Sequence, residues 1–279
     1  MKKKFFASIF LLIATFSLPS SLLAEDPFEL NKKWDTLLLA SGLASYGSIL
    51  GIKHFVSSPE YDATKVYDKN DVNALDRFFM QPYDSTLHNF GTLTCGLAMA
   101  FPAATYVAQG IGGDFSKEDI FEVAVMYAET LLFANAFKDW LKFSVKRNRP
   151  YMYFDQVDTA ALDDGDFAYS WPSGHTANAF AGATFVTYTY WNYFPDSAWK
   201  IPVTLTSYAF AAGTGALRMA SGNHFLTDVL SGALLGTACG FFIPFAHKHF
   251  PKAGERKGMQ VTVFPYGINL HLSLAERRR

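Results

Sequence analysis

The stretch RMASGNHFLTD, from Arg218 to Asp228, stands directly before a long apolar run, and the interpretation of the whole chain starts from it. If a helix begins near Asn223, His224 and Asp228 lie at positions i and i+4 on one face of its first turns. A carboxylate there can accept the Nδ1–H of the imidazole, which leaves the Nε2 lone pair free to attack. Arg218 adds a planar fork of donors that suits phosphate or carboxylate. Taken alone, a solvated or capping histidine is the simpler explanation.

A second motif, LKFSVKRNRP, is basic. Lys142 and Arg149 are seven residues apart, almost two helical turns, so the spacing predicts that both emerge on nearly the same face of a helix. Pro150 is expected to end that helix. The alternative is a solvated basic helix end, formed by these two residues with Lys146 and Arg147, that complements the helix dipole.

The third motif is WPSGHTANAF, which begins at Trp171. Pro172 and Ser173 are residues typical of a helix start, and Gly174 lets a backbone N–H approach a ligand closely. His175 then lies in the first turn of an apolar helix. The free N–H groups of such a turn attract anions, so this motif predicts an anion site with an imidazole beside it.

In this order the three motifs resemble the signature of the type 2 phosphatidic acid phosphatase (PAP2) superfamily, which also includes the vanadium haloperoxidases. The resemblance covers roughly residues 86–250. One position departs from the family pattern, because Leu217 stands where the family usually has Ser, and one hydrogen bond to phosphate is thereby lost. The matching residues are Lys142-x6-Arg149-Pro150, Pro172-Ser173-Gly174-His175 and Arg218-x5-His224-x3-Asp228.

The resemblance implies an all-α fold, a helical bundle of about six core helices. It also implies that His224 is the nucleophile, that Asp228 orients it and that His175 protonates the leaving alcohol. The groups implied to hold the phosphoryl oxygens are Lys142, Arg149, Arg218 and the backbone at Ser173 and Gly174.

The implied function is hydrolysis of a phosphomonoester or pyrophosphate through a phosphohistidine intermediate. A lipid phosphate such as phosphatidic acid is the favoured substrate. Three alternatives stay open: a soluble periplasmic acid phosphatase of broad specificity, a vanadate-dependent haloperoxidase, and a non-catalytic binding protein that keeps the pocket.

Phosphate chemistry at this set of residues requires no metal. A phosphate monoester carries roughly −1.5 to −2 charges near neutral pH, so cations placed in advance are the main catalytic means. The sequence has no HExxH motif, no DxD-like pair at a strand end and no cysteine-rich ligand spacing. We therefore expect neither a metal nor another cofactor.

Composition favours membrane contact and argues against nucleic acid as a partner. Half of the 279 residues (50%) are hydrophobic and 18% are charged, against about 25% charged in a typical globular protein. The formal net charge is −1, and no basic stripe lies outside the motifs and the C-terminal tail. Cys95 and Cys239 each lie inside an apolar run, which favours two core cysteines over a disulfide.

Residues 1–24 are typical of an export signal. Lys2–Lys4 form a basic region, Phe5–Phe16 is apolar, and Pro19 precedes a small-residue end at Ala24. An uncleaved anchor is the alternative. Export predicts a cell-envelope protein that faces the periplasm, either integral to the membrane or associated with it. Six true spans after a cleaved signal would turn the motifs inward, so the number of spans stays open.

The remaining chain divides into an N-terminal helix with a connector (25–85), a PAP2-like catalytic core (86–250) and a tail (251–279). Hydrophobic residues alternate in the tail about a Pro-Tyr-Gly turn, which predicts a short C-terminal β-hairpin. Helices are expected at 36–55, 73–80, 87–109, 118–147, 174–194, 200–217 and 224–248.

Several of these helices contain runs long enough to cross a bilayer, notably Phe90–Ala108 and Val229–Ala246. The helix at 118–147 is expected to be a poor span because Glu122, Glu129 and Asp139 interrupt it. Small polar residues make the helices at 36–55 and 200–217 poor spans too.

The loop between the second and third motifs is acidic. The spacing of its aspartates lacks the twelve-residue pattern of a calcium loop, so a solvated loop at the rim of the site is expected. The aspartates are Asp155, Asp158, Asp163, Asp164 and Asp166.

Overall fold

The computed structural model describes residues 27–55, 59–62, 64–155 and 162–249, and the backbone of two strands beyond them. The predicted all-α bundle is confirmed for these residues, and the expected helices are present to within about one turn at each end. The helices are α1 (Lys32–Phe55), α2 (Ala74–Phe79), α3 (Ser85–Gly112), α4 (Lys117–Val145), α5 (Gly174–Tyr193), α6 (Lys200–Ala220) and α7 (Leu226–His249).

The two strands are β1 (Met259–Phe264) and β2 (Gly267–Leu272), which pair antiparallel with Val261 opposite Leu270. Their side chains lie outside the described residues, so the appended hairpin and its packing stay a prediction. The expected export signal at 1–24 and Asp158 of the acidic loop also lie outside the described residues.

Helix α5 forms the centre of the bundle. It packs against α3, α4, α6 and α7, and most of its side chains are buried. A helix that has no polar face is stable only when neighbours surround it. Because α5 begins with Gly174 and His175, this packing fixes the start of the central helix, and the third sequence motif with it.

Helices α5 and α7 are in contact at their backbones. Gly232, Gly236 and Gly240 recur every four residues along the face of α7 that meets α5. A Cβ atom at Gly236 would lie 2.0 Å from the carbonyl oxygen of Ala177, and one at Gly232 would lie 2.4 Å from that of Ser173. No side chain fits at these positions, so glycine is required there for the two helices to approach.

Four helical segments of the described chain are long and apolar enough to cross a membrane: Lys33–Ile52, Ser85–Gly112, Lys117–Tyr153 and Leu226–His249. The second and fourth contain the two runs expected from the sequence. The expectation that the segments around α1 and α4 are poor spans differs from this finding. On α4 the reason is visible, because Glu122, Glu129 and Asp139 are all buried and turn towards other helices rather than outwards.

The two cysteines are free and buried, which confirms the expectation of two core cysteines. Cys95 on α3 donates to the carbonyl oxygen of His175 at 3.4 Å. Cys239 on α7 packs against Ala134 and Ala181. The two cysteines form no disulfide.

Candidate active site

The loop between α6 and α7 requires glycine at one position. Gly222 has φ of 70°, in the left-handed region, and a Cβ atom there would lie 2.4 Å from the carbonyl oxygen of Pro82. Two other segments hold the loop by its carbonyl groups. The N–H of Asp84 donates to Ser221 (3.2 Å), and that of Tyr151 donates to Gly222 (3.3 Å). The residues that follow, His224 included, are therefore fixed by the backbone.

His224 is buried and precedes α7, which begins at Leu226. The expectation that it lies in the first turn of the helix is wrong. The side chain of Asp228 accepts the N–H of Phe225 (2.9 Å), which caps the turn that leads into the helix. The i,i+4 relation survives across this turn, since Nδ1 of His224 lies 3.7 Å from Oδ2 of Asp228.

Ser170, which the sequence did not indicate, lies between the two groups. Its hydroxyl donates to Oδ2 of Asp228 (2.5 Å), and its Oγ lies 3.5 Å from Nδ1 of His224. The imidazole can thus donate Nδ1–H to Ser170 or, after a small movement, to Asp228 itself. Either contact leaves Nε2 as the nitrogen with a free lone pair. Catalytic hydrogen bonds are often long until a substrate tightens the site.

The other oxygen of Asp228 is held by Arg147. Nη1 of Arg147 donates to Oδ1 of Asp228 (2.6 Å), and Nη2 donates to Oδ2 of Asp76 (2.7 Å). Asp76, on α2, also accepts the N–H and the hydroxyl of Thr227 (2.9 and 2.7 Å). Both carboxylates are completely buried, so the guanidinium is their common counterion. The reading of Arg147 as part of a solvated helix end is therefore wrong.

Asp76 belongs to the connector that precedes the expected core, and nothing in its position along the chain links it to Asp228. The only local signal is a helix start, where Asn73 accepts the N–H of Asp76 (3.0 Å). Burial raises the pKa of Asp76, but hydrogen bonds from Arg147 and Thr227 outweigh it, so the pKa lies below its usual range. The carboxylate is ionised near neutral pH.

Arg149 reaches the site from a different element than expected. Helix α4 carries Lys142 but ends at Val145, and Lys146 caps it with φ of 49°. Arg149 therefore lies beyond the helix that was expected to carry it. The segment instead runs along residues 167–170: the N–H of Arg149 donates to the carbonyl of Phe167, and that of Ser170 to the carbonyl of Arg147, each at 2.8 Å. A continued helix could not make these contacts.

Arg149 is only 4% exposed, and two loops orient its guanidinium. Nη1 donates to the carbonyl and side-chain oxygens of Asn223, both at 3.1 Å. Nε and Nη2 donate to the carbonyl and carboxylate of Asp166 at 2.9 and 2.5 Å. Asp166 is the acidic-loop residue that contacts the site, and its side chain is 60% exposed, as expected for a rim. Burial raises the pKa of Asp166, but Arg149 and Lys142 lower it by more, so the pKa lies below its usual range.

Arg218, near the end of α6, is buried with an unused donor. Nη1 donates to the carbonyl oxygen of His88 (3.3 Å), and Nη2 lies 3.5 Å from Nδ1 of the same residue. Nε is buried and has no hydrogen-bond partner among the described residues. A buried donor without an acceptor is costly, which suggests that a ligand completes the site. Gly91 of α3 makes room, since a Cβ there would lie 3.1 Å from Cδ of Arg218.

The start of α5 supplies backbone donors, but Ser173 does not supply one as expected. Its N–H donates to the carbonyl oxygen of Asp228 (3.0 Å), and its hydroxyl lies 2.9 Å from that of Thr176. The expected phosphate contact from the Ser173 amide is thus taken by the helix that follows His224. The N–H groups of Gly174 and His175 lie in the first turn, where helix donors have no partner within the helix.

The charges of the site act together on its two histidines. Burial lowers the pKa of His224 well below the usual range, and Arg149, Lys142, Arg218 and His175 each lower it further. Burial, followed by Arg218 and Arg149, lowers the pKa of His175 to about 3. Both imidazoles are therefore neutral near pH 7 as long as the pocket holds no anion. The structure thus brings all three expected cations and both histidines into one electropositive pocket.

A protein-family model, that of the PAP2 superfamily, matches residues 123–250. This segment belongs to the PAP2 superfamily. The PAP2 segment contains most of α4, all of α5, α6 and α7, and each site residue expected from the sequence. Asp76 and His88, which the structure adds, precede it.

The chain is similar to a curated relative, the lipid A 1-phosphatase of Porphyromonas gingivalis, with 40% identity over 77 residues. That match covers 28% of this chain and 16% of the relative, so the chain spans about a sixth of the relative's length. Two solved structures are also similar. LpxE of Aquifex aeolicus is 26% identical, with a TM-score of 0.41, over 61% of this chain and 92% of that one. A transmembrane PAP2 type phosphatidylglycerolphosphate phosphatase of Bacillus subtilis is 22% identical, with a TM-score of 0.43. That match covers 75% of this chain and 93% of the Bacillus chain.

Proposed function

We propose that this PAP2 protein is a phosphoric monoester hydrolase that acts without a metal, through a phosphohistidine formed on His224. The observation that carries the proposal is the convergence of Lys142, Arg149 and Arg218 on a buried neutral imidazole. Negative charge that spreads over the oxygens of a transferring phosphoryl group is stabilised by such cations. The unpartnered Nε of Arg218 gives one of these oxygens a ready donor.

In the first step, Nε2 of His224 forms a bond to phosphorus while the bond from phosphorus to the leaving oxygen breaks. His175 in its protonated form donates a proton to that oxygen, which departs as an alcohol or, from a pyrophosphate, as a phosphate. The phosphorylated imidazole keeps its proton on Nδ1 and gains positive charge. Asp228, held by Arg147, stabilises that charge from the other side of the ring.

In the second step, His175 is neutral and accepts a proton from a water molecule. The oxygen of this water forms a bond to phosphorus, and the bond from phosphorus to Nε2 of His224 breaks. Phosphate leaves, and both histidines return to their starting states. The N–H groups at the start of α5 and the three cations hold the phosphoryl oxygens throughout.

A lipid phosphate is the proposed substrate. Four segments long and apolar enough to cross a membrane, and large exposed apolar side chains along α3 and α7, favour a site next to a lipid surface. The name of the curated relative, a lipid A 1-phosphatase, points to the same class of substrate. We propose that the site faces the outer side of the membrane in the cell envelope, and that a broad-specificity acid phosphatase is the alternative.

The test is a phosphate-release assay of the purified protein with lipid phosphates in mixed micelles and with soluble phosphomonoesters. A lipid phosphatase is expected to show a higher kcat/KM for a micellar lipid A phosphate or phosphatidic acid than for soluble esters. Equal values would favour the acid phosphatase. Peroxide- and halide-dependent oxidation after loading with vanadate, without phosphate release, would indicate a haloperoxidase.

The rate is expected to fall as the pH rises, because His175 must be protonated to donate. Its pKa of about 3 applies to the anion-free pocket. A bound phosphate offsets the charge of the cations and raises that pKa. On the alkaline side, kcat should therefore fall at a higher pH than kcat/KM does. On the acidic side, the rate falls where His224 becomes protonated. This should happen only at low pH, because the pKa of His224 is depressed.

The pH profile has an internal control in His175→Ala. On a substrate with a good leaving group, which needs no protonation, this variant should retain activity and lose the alkaline limb. Survival of both limbs in the variant would contradict the assignment of His175 as the acid.

Orthovanadate is expected to inhibit far more strongly than product phosphate does. Vanadium(V) readily becomes five-coordinate and, bonded to Nε2 of His224, would place its oxygens where the transferring phosphoryl group has its charge. Arg218→Ala should lose more vanadate affinity than His175→Ala, because it removes a planar donor fork rather than a proton donor. EDTA should leave the initial rate nearly unchanged. Loss of activity in EDTA that magnesium or zinc restores would point to a metal-dependent phosphatase.

A further inference from the structure

A second buried cluster of polar side chains lies far from the phosphate pocket. Asp35 of α1, Glu129 of α4 and His247 of α7 each offer one atom able to bind a metal, and these atoms all lie within 4.8 Å of one another. The residues are 7%, 0% and 6% exposed. His247 is nineteen residues beyond Asp228 on α7, which corresponds to about 28 Å along the helix axis.

The hydrogen bonds of His247 prepare one nitrogen for a cation. Nδ1 lies 3.2 Å from the backbone carbonyl oxygen of Glu29, so a proton on Nδ1 has an acceptor. Nε2 then faces the carboxylate of Glu129, whose Oε2 is 2.7 Å away. A histidine that binds a metal usually donates its other nitrogen to a carbonyl or carboxylate in this way. Oδ1 of Asp35 lies 3.8 Å from Nδ1 of the same ring.

The charges of the cluster balance only with a further positive charge, which either a metal ion or an additional proton would supply. Among the described residues, Asp35 and Glu129 form ion pairs with His247 and with no lysine or arginine. A protonated His247 would leave one excess negative charge in the interior, which is unfavourable. Oε1 of Glu129 is also buried and has no hydrogen-bond partner among the described residues. A divalent ion with neutral His247 would balance both carboxylates and give this oxygen a partner.

We infer that Asp35, Glu129 and His247 form a structural site for a divalent transition-metal ion, with Zn²⁺ as the best-suited common ion. One imidazole nitrogen and two carboxylates are ligands that zinc accepts. Zinc bonds of about 2.0–2.2 Å would draw the three side chains together. The ion would fasten α1 to α4 and α7. The site is independent of the proposed phosphatase chemistry, and no step of that chemistry uses it.

The experiment uses the full-length chain, purified in detergent with a tag that contains no histidine. The protein is stripped with a chelator, dialysed against zinc, desalted and measured for metal content and for thermal unfolding. We expect about one zinc per chain and a higher Tm after loading, since a ligand that binds only the folded state stabilises it. Loading with cobalt should give a visible absorption band from a nitrogen- and oxygen-ligated ion.

Glu129→Gln keeps the size of the side chain and removes its charge, and it is expected to lower zinc affinity by about tenfold or more and to abolish the rise in Tm. The matched control is Glu122→Gln. Glu122 is a second buried glutamate on α4, and its carboxylate accepts the hydroxyl of Tyr193 at 2.7 Å, a bond that glutamine can keep. This control should bind zinc as the wild type does.

Wild-type protein that takes up no zinc and shows no change in Tm would overturn the inference and indicate a proton-balanced cluster. Zinc uptake by Glu129→Gln equal to that of the control would overturn it too, since the ion would then lie elsewhere. If Glu129→Gln does not fold, Asp35→Asn replaces it, because Asp35 is the least buried of the three. The phosphatase rate is not a readout here, so the outcome is separate from that of the proposed function.

Discussion

His224→Ala is expected to lower kcat by at least about 10³-fold, or roughly 4 kcal/mol of transition-state stabilisation, while the fold is retained. The imidazole is the group towards which the three cations and the start of α5 converge, and its Nδ1 side is already occupied by Ser170 and Asp228. Removal of the ring leaves the anion pocket but no nucleophile. Steady-state phosphate release measures the loss, and quenching with an alkaline denaturant, in which the P–N bond of phosphohistidine is stable, should trap phosphate on the wild type but not on the variant.

The control for this change is His54→Ala, which alters an exposed histidine on α1 far along the sequence from the site. It should leave kcat and Tm unchanged. A folded His224→Ala protein that keeps the wild-type rate would show that the nucleophile lies elsewhere in the pocket.

Arg147→Met is expected to have the largest effect on stability, a loss of about 3–5 kcal/mol in the free energy of unfolding. The guanidinium is the common counterion of Asp76 and Asp228, which are both completely buried. Methionine keeps the apolar contact with the ring of Phe225, over which the Arg147 Cζ lies 4.1 Å from the centroid, but it leaves two carboxylates without a cation. Thermal or denaturant unfolding in detergent measures the loss, and activity should fall with it.

A second substitution separates lost charge pairing from lost packing. In Arg147→Met with Asp76→Asn, one of the two unpaired charges is gone, so part of the stability should return. Arg77→Met is the matched control, because Arg77 lies on α2 beside Asp76 and its side chain donates to Asn70 in an exposed setting. An Arg147→Met protein as stable as this control would contradict the buried-counterion interpretation.

The sequence predicted the helices and the residues of the pocket better than it predicted how those residues are held. Periodicity and helix-start residues are local signals, and they located α5 and α7 to within a few residues. Spacing alone placed Arg149 on a helix, whereas Lys146 in the left-handed region ends that helix early. What decides the geometry there is the pairing of residues 147–149 with 167–170, a contact between segments that no local pattern encodes.

The groups that sequence reasoning missed are those whose role depends on distant parts of the chain. Asp76 is separated from Asp228 by more than half of the chain, and it reaches the site through Arg147 and Thr227. Ser170 has no motif of its own, yet its hydroxyl bridges Asp228 and His224. The amide of Ser173, expected to bind phosphate, is instead taken by the carbonyl of Asp228 once α5 and α7 are packed together.

The glycine face of α7 has a consequence for how the protein can move. Side chains at an interface can change rotamer and let helices slide, but at Gly232 and Gly236 the contact is with carbonyl oxygens of α5, which have no alternative position. Any shift of one helix along the other would carry these glycines out of register. His175 begins the first of these helices and His224 leads directly into the second. The spacing between the proposed acid and the proposed nucleophile is therefore set by two backbones in direct contact, and we expect substrate exchange to depend on other parts of the bundle.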